Sequence, residues 1–286
     1  MTKYSEVFSK ITIHPLFWGV IAIAVFTARF TEVFILFFIV FIHELGHAIA
    51  AAHFKWRIRR IQLLPFGGVA ELDEHGNKPL KEETIVIIAG PAQHIWMIAA
   101  AYVLYMAGWM GENFYNFFLW NNMMILFFNL LPIWPLDGGK LVLNILSHRF
   151  PFLQAHNMMM RISIVCLSVV LGLQFFWNGK NAMMWALLLF LAFSLFQEWK
   201  QRRYAFMRFL LERYYGKKRE IAKVKAITVQ KETSLYHIFT QFRRGYKHSI
   251  IIYGDHKNQY TLDENELLYA YFTEKRTTSS VEELIG

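Results

Sequence analysis

Apolar residues run almost unbroken through 13–28, 33–54, 84–108, 114–133, 157–177 and 181–197. Several of these runs approach or exceed the ~20 residues that a helix needs to cross a hydrocarbon core. The pattern predicts about six transmembrane helices. Between the second and third runs, Trp56 to Leu72 (WRIRRIQLLPFGGVAEL) alternates apolar and polar positions around Pro65 and Gly67-Gly68, which predicts a β-hairpin at the membrane surface. Leu130 to Lys140 (LLPIWPLDGGK) closes an apolar helix with two prolines and two glycines, so the helix should break there. Broken backbone at membrane depth persists only where it packs in protein or lines a wet cavity. After residue 200 the chain reads as an ordinary charged segment. Arg208 to Arg219 continues an amphipathic helix, and 224–286 predicts a small α/β unit. Its strands should lie at 227–229 and 249–253 and its helices at 235–242 and 264–272.

The expected domains are therefore a transmembrane domain over 1–199, a linker helix over 200–223 and a C-terminal domain over 224–286. Composition agrees: of 286 residues 55% are apolar and only 18% charged, a surplus that lipid accommodates better than water. The net charge of +9 would suggest nucleic acid in a soluble protein. Here it reflects cytoplasmic loops against anionic lipid, and no nucleic-acid partner is expected. Arg57, Arg59, Arg60, Lys78 and Arg149 fall on the same face of a six-span arrangement, placing both termini in the cytoplasm. The first apolar run lacks a small-residue cleavage site and reads as a retained helix. Cys166 is the only cysteine, so no intrachain disulfide can form.

Within the second run, His43-Glu44-Leu45-Gly46-His47 has the form H-E-x-x-H. Histidines four apart share one helical face and can reach one Zn²⁺, with the intervening glutamate placed to act as general base on water. Each ionisable group near the bilayer centre costs about 2–3 kcal/mol or more, and one cation accounts for all three. Catalytic zinc takes three protein ligands and leaves a position open. Asp137, in the broken stretch, is the leading third ligand; His94, after Gly90-Pro91, is the alternative, or else a hydrogen-bonded core histidine. Asn129 either positions substrate or bonds between helices. The hairpin offers an edge to an unwound substrate strand, or is an ordinary surface hairpin. The rival classes are a metal-ion transporter or non-enzymatic membrane metal sensor, which would need more polar residues along the spans, and a membrane scaffold, which leaves Glu44 unexplained.

His43 to His47 together with Asn129, Pro132, Pro135, Asp137 and Gly138 (NLLPIWPLDGG) resembles the paired motifs of site-2 proteases, with Ala89-Gly90-Pro91 similar to that family's third core helix. The stretches 64–68 (LPFGG), 209–217 (FLLERYYGK) and 262–266 (LDENE) resemble its sporulation branch. The resemblance implies an intramembrane zinc endopeptidase with one Zn²⁺ per chain, held by His43, His47 and Asp137, and Glu44 as base. Asn129 and Pro135 would lie near the site and position substrate; apart from the resemblance, an entry route beside the hairpin would make Gly67 and Gly68 substrate-positioning residues too. The resemblance further implies a single CBS-like domain from about 224 that pairs between chains in a homo-oligomer and takes ATP. The implied substrate is membrane-associated pro-sigma-K. Implied inhibitors are stage IV sporulation protein FA and bypass-of-forespore protein A, in the mother-cell membrane around the forespore.

Overall fold

The structure is a computed structural model and describes residues 11–13, 19, 26, 30–56, 58–64, 67–72, 78–178, 182–216, 223–253 and 259–285. It is mostly helical. In chain order the elements are β1 (Ile11–Ile13), α1 (Phe30–His53), β2 (Ile58–Leu64), β3 (Gly67–Leu72), α2 (Leu80–Met106), α3 (Glu112–Asn129), α4 (Asp137–Arg149) and α5 (Phe152–Asn178). Then come α6 (Ala182–Tyr215), β4 (Val224–Gln230), α7 (Leu235–Phe239), β5 (Lys247–Tyr253), β6 (Gln259–Asp263), α8 (Glu264–Phe272) and α9 (Glu282–Ile285). Three of the described helices have stretches long and apolar enough to cross a membrane, Phe30–His53, Leu80–Met106 and Phe152–Phe176. The span expected over 13–28 falls outside the described residues except for Ile13, Gly19 and Phe26, and Ile13 ends β1.

The described residues gather into two compact units. The first draws on Met1–Glu74, Lys81–Leu141 and Ser163–Ser194. In α1 the buried positions recur at Ile35, Ile39, His43, His47 and Ala51, a four-residue spacing that sets one stripe of the helix inward. Ile35 and Ile39 pack with Met97 and Ala101 of α2 and Phe118 of α3. One turn past the motif, Ala48, Ala51 and Ala52 join Trp56 and Val86, and the Trp56 indole N–H donates to Glu82 at 2.9 Å. The expected hairpin is present: β2 and β3 pair antiparallel with Leu64 opposite Gly67. Gly67 and Gly68 stand in strand β3 rather than in the link between strands. β1 adds to β2 in parallel, giving the order β1-β2-β3, so β3 has an outer edge with no strand beside it among the described residues.

The second unit comprises His75–Leu80, Val142–Ile162 and Leu195–Gly286. Its sheet runs β4-β5-β6, with β4 parallel and β6 antiparallel to the central β5. Alternate residues of β5, His248, Ile250 and Ile252, are buried, as a strand with one face on a core requires. Strand β6 lies outside the two strands that the sequence predicts, since QYTLD alternates only weakly. The core takes in Phe206, Phe209 and Leu210 of α6 and Phe152 at the start of α5, stacked on Phe209 at 4.3 Å. Asp263 caps α8 in a capping box with Glu266.

A charged cluster crosses this core. Arg213 of α6 donates through Nε and Nη2 to the two Glu264 carboxylate oxygens at 2.7 and 2.8 Å, and through Nη1 to the Arg243 carbonyl at 2.9 Å. Its guanidinium lies 5.4 Å from both the Phe209 and Phe242 rings. His248 Nε2 accepts from the Arg243 N–H, so Nδ1 carries the proton and faces Glu264 at 3.0 Å. Burial pushes the His248 imidazole below its ordinary 6.5, although Glu264 works against this. Burial would raise the Glu264 carboxyl, but His248 and Arg213 outweigh it and hold it below 4.5. Both folded-state values are depressed, so in each case the unfolded chain binds the proton first and acid opposes folding. Stability from His248 is complete above 6.5 and falls as pH drops below that value; the part from Glu264 is lost further down, below 4.5. In the full chain, hydrogen exchange of the β5 amides, corrected for intrinsic rates, is expected to quicken as pH falls from 7 to 4. A flat profile would refute this assignment.

Candidate metal centre

α1 carries His43, Glu44 and His47, all under 9% exposed. α4 begins at Asp137, itself 3% exposed. The chain reaches Asp137 through the broken stretch, which folds as turns closed by the Ile133 N–H on the Leu131 carbonyl and the Leu136 N–H on that of Ile133. Ser163 of α5 holds this loop from outside, accepting from the Trp134 N–H at 3.1 Å and donating to the Pro132 carbonyl at 3.3 Å. A Cβ on Gly138 would overlap the carbonyls of Leu130 and Leu131, so the residue after Asp137 must be glycine for the loop to fold back this closely.

Three donor atoms converge. His43 Nε2 and His47 Nε2 each stand 3.0 Å from Asp137 Oδ2 and 3.1 Å from one another. Zinc bonds of about 2.0–2.1 Å in tetrahedral array need ligand atoms about 3.3 Å apart, so the trio is near the required size with a few tenths of an ångström to open. Two imidazoles and one carboxylate also match a catalytic zinc donor set. The rest of the shell suits ligation. His47 Nδ1 donates to the Val86 carbonyl at 2.7 Å, which frees the Nε2 lone pair. Lys140, one turn along α4, takes Asp137 Oδ1 at 3.0 Å and leaves Oδ2 for the site. Gly90 of α2 lies so close that a Cβ there would overlap the His47 ring.

Sequence reasoning reached His43, Glu44, His47 and Asp137, and the fold brings all four to one place. His94 is buried completely but lies behind His43, with Nε2 3.0 Å from His43 Nδ1 rather than beside the converging Nε2 atoms. Asn122, Lys140 and Ser163 are residues around the site that sequence reasoning misses. Asn122 is one of several asparagines in α3, next to Asn121, and nothing local marks which of them meets His94, while Lys140, three residues after Asp137, has the right spacing for a helical ion pair. Asn129 ends α3 and Pro135 lies in the loop, joined to Trp134 by a cis peptide. Neither makes a hydrogen bond with the cluster among the described residues. Gly67 and Gly68 are the first residues of β3.

The profile of peptidase family M50 matches residues 31–112 and 106–170. Stage IV sporulation protein FB of Bacillus subtilis is 48% identical over 286 residues, covering 100% of this chain and 99% of that protein. A zinc metalloprotease of Methanocaldococcus jannaschii is 30% identical over 167 residues, 56% of this chain and 44% of that one. The solved site-2 protease from Methanocaldococcus jannaschii is similar at 29% identity with a TM-score of 0.52, covering 66% of this chain and 89% of that chain. Buried metal-ligand chemistry on apolar helices and these relationships meet in one assignment: the chain belongs to peptidase family M50, the site-2 proteases, and is an intramembrane zinc metalloprotease.

Proposed function

We propose that His43, His47 and Asp137 hold the zinc, that Glu44 is the general base, and that the substrate is the membrane-associated prosequence of pro-sigma-K. The observation that carries the ligand set is the convergence of three buried donor atoms within 3.1 Å of one another. The ion, when bound, supplies an acidified water and a polarised scissile carbonyl. Glu44 takes the water's proton on its carboxylate and passes it to the leaving amine nitrogen. His47 is kept in the ligating tautomer by Val86, and Lys140 keeps Asp137 turned inward. Burial of the trio keeps bulk water from competing with the substrate.

The substrate must be unwound before its amide bond can be attacked, because a helix occupies its own backbone groups. The outer edge of β3 supports a reading in which an extended substrate segment adds there, with Gly67 and Gly68 keeping that end of the strand free of side chains. The six-span arrangement with cytoplasmic termini follows from the apolar runs and loop charges. The domain division at 199 and 223 follows from the shift in composition. The sigma factor, the mother-cell membrane, the CBS-type domain with its ATP and homo-oligomer, and the two membrane inhibitors all rest on resemblance to the sporulation branch.

One coexpression tests the reading. With membrane-bound pro-sigma-K, the parent chain is expected to shorten the substrate and to purify with about one zinc per chain. His43→Ala, His47→Ala and Asp137→Ala should lose both properties, whereas Gly67→Val combined with Gly68→Val should slow cleavage and keep the zinc. Full zinc in Asp137→Ala would remove that residue from the ligand set. Zinc flux into vesicles without any peptide cleavage would favour the transporter.

A further inference from the structure

Behind the ligating face of His43 lies a second line of buried polar groups. His43 Nδ1 faces His94 Nε2 at 3.0 Å, and His94 Nδ1 faces Asn122 Oδ1 at 2.7 Å. His94 and Asn122 are both wholly buried, one on α2 and the other on α3. The amide meets His94 through its oxygen, an acceptor, while Asn122 Nδ2 has no hydrogen-bond partner among the described residues. A buried amide donor left unmet costs about 1–3 kcal/mol, which a core position chosen only for packing would avoid.

The direction of this line is fixed by which atoms can donate. A side-chain amide oxygen only accepts, so His94 Nδ1 carries a proton. A neutral His94 then has a lone pair at Nε2, which accepts from His43 Nδ1–H. His43 in turn has its lone pair at Nε2, the atom 3.0 Å from Asp137 and 3.1 Å from His47 Nε2. The opposite order would put a proton on His43 Nε2 and remove it as a ligand. A second proton on His94 would set an imidazolium against a ring that must bind a dication, which like charge opposes.

We propose that Asn122 and His94 are positioning residues: together they hold His43 in the one tautomer and ring orientation that can bind zinc. His47 obtains the same service directly from the Val86 carbonyl. His43 needs a longer line because the group behind it is another imidazole, which has no fixed direction until Asn122 supplies one. Outer partners of this kind are worth about 10–100-fold in metal affinity. The inference rests on His43 being a zinc ligand.

The test is zinc affinity, measured on the purified full chain in detergent by titrating Zn²⁺ against a chromophoric chelator. Asn122→Leu removes the acceptor and is expected to weaken binding about 10–100-fold. Asn122→Asp restores an acceptor of the same shape and should return the affinity to within about threefold of the parent. His94→Leu should fall like Asn122→Leu, and His94→Gln, whose amide oxygen can accept from His43 Nδ1–H, should recover part of the loss. Parent affinity in Asn122→Leu overturns the proposal, as does an equal loss in Asn122→Asp and Asn122→Leu. His43→Ala separates the two levels: if it keeps parent affinity the ligand set itself fails. If it loses zinc while Asn122→Leu does not, only the relay fails. Should Asn122→Leu not fold, the pair His94→Gln and His94→Leu decides, and equal affinity in those two overturns the proposal.

Discussion

Glu44→Gln is expected to abolish cleavage while the protein keeps its zinc. Glutamine has the shape of glutamate and can still hydrogen-bond a water, but its amide accepts no proton at neutral pH. Glu44 sits between the two histidines on α1, is 8% exposed, and is not one of the three residues whose donor atoms converge. Removing its charge should therefore leave the ligand triangle in place. General-base catalysis contributes about 10²–10⁴-fold, and the same group returns the proton to the leaving amine, so a loss at the upper end of that range is expected. Single-turnover cleavage in detergent and metal content on the same preparation check it. A variant that cuts within tenfold of the parent would mean that another group takes the proton.

A single methyl group on α2 should be nearly as damaging. In Gly90→Ala the added Cβ would overlap the His47 imidazole, with Nε2 its nearest atom. That atom is one of the three converging donors, so the ring must swing away or α1 and α2 must separate. Swinging would also break the 2.7 Å bond from His47 Nδ1 to Val86, and separation would open the contact of Ile39 with Met97 and Ala101. Either route should lower zinc affinity by about 100-fold or more, since a first ligand and its outer partner are lost together. Cleavage should fall in parallel. Gly172→Ala on α5 is the control, because a Cβ there meets nothing within 4 Å. Both zinc and turnover should then match the parent. Parent-like zinc binding in Gly90→Ala would show that the two helices stand further apart than described.

Local pattern carries some features of this protein by itself. The four-residue spacing of His43 and His47 needs only a helix to share a face, and the apolar run before it supplies that helix. The hairpin follows from alternation over 58–72, and the break before Asp137 from two prolines and two glycines, whose effect on backbone is local. The α/β character of 224–286 is visible for the same reason: the β-branched run at 249–253 and the helical pattern at 264–272 act over a few residues. What lay beyond such patterns depends on partners far apart in the chain. Asp137 stands out in the sequence as the leading third ligand, but the choice between it and His94 rests on contacts with His43 across 94 and 51 residues. His94 could be read as a ligand or as a core histidine until its ring was placed behind His43. Asn122, 28 residues further on, had no reading at all. Likewise Ile11–Ile13 looks like the threshold of an apolar span, and only the neighbouring β2 makes it a strand. Spacing along one helix determines which side chains share a face, whereas tertiary packing alone decides what faces them. For a metal site built from separate helices, that second step selects the third donor, the tautomers and the glycine that lets the helices meet.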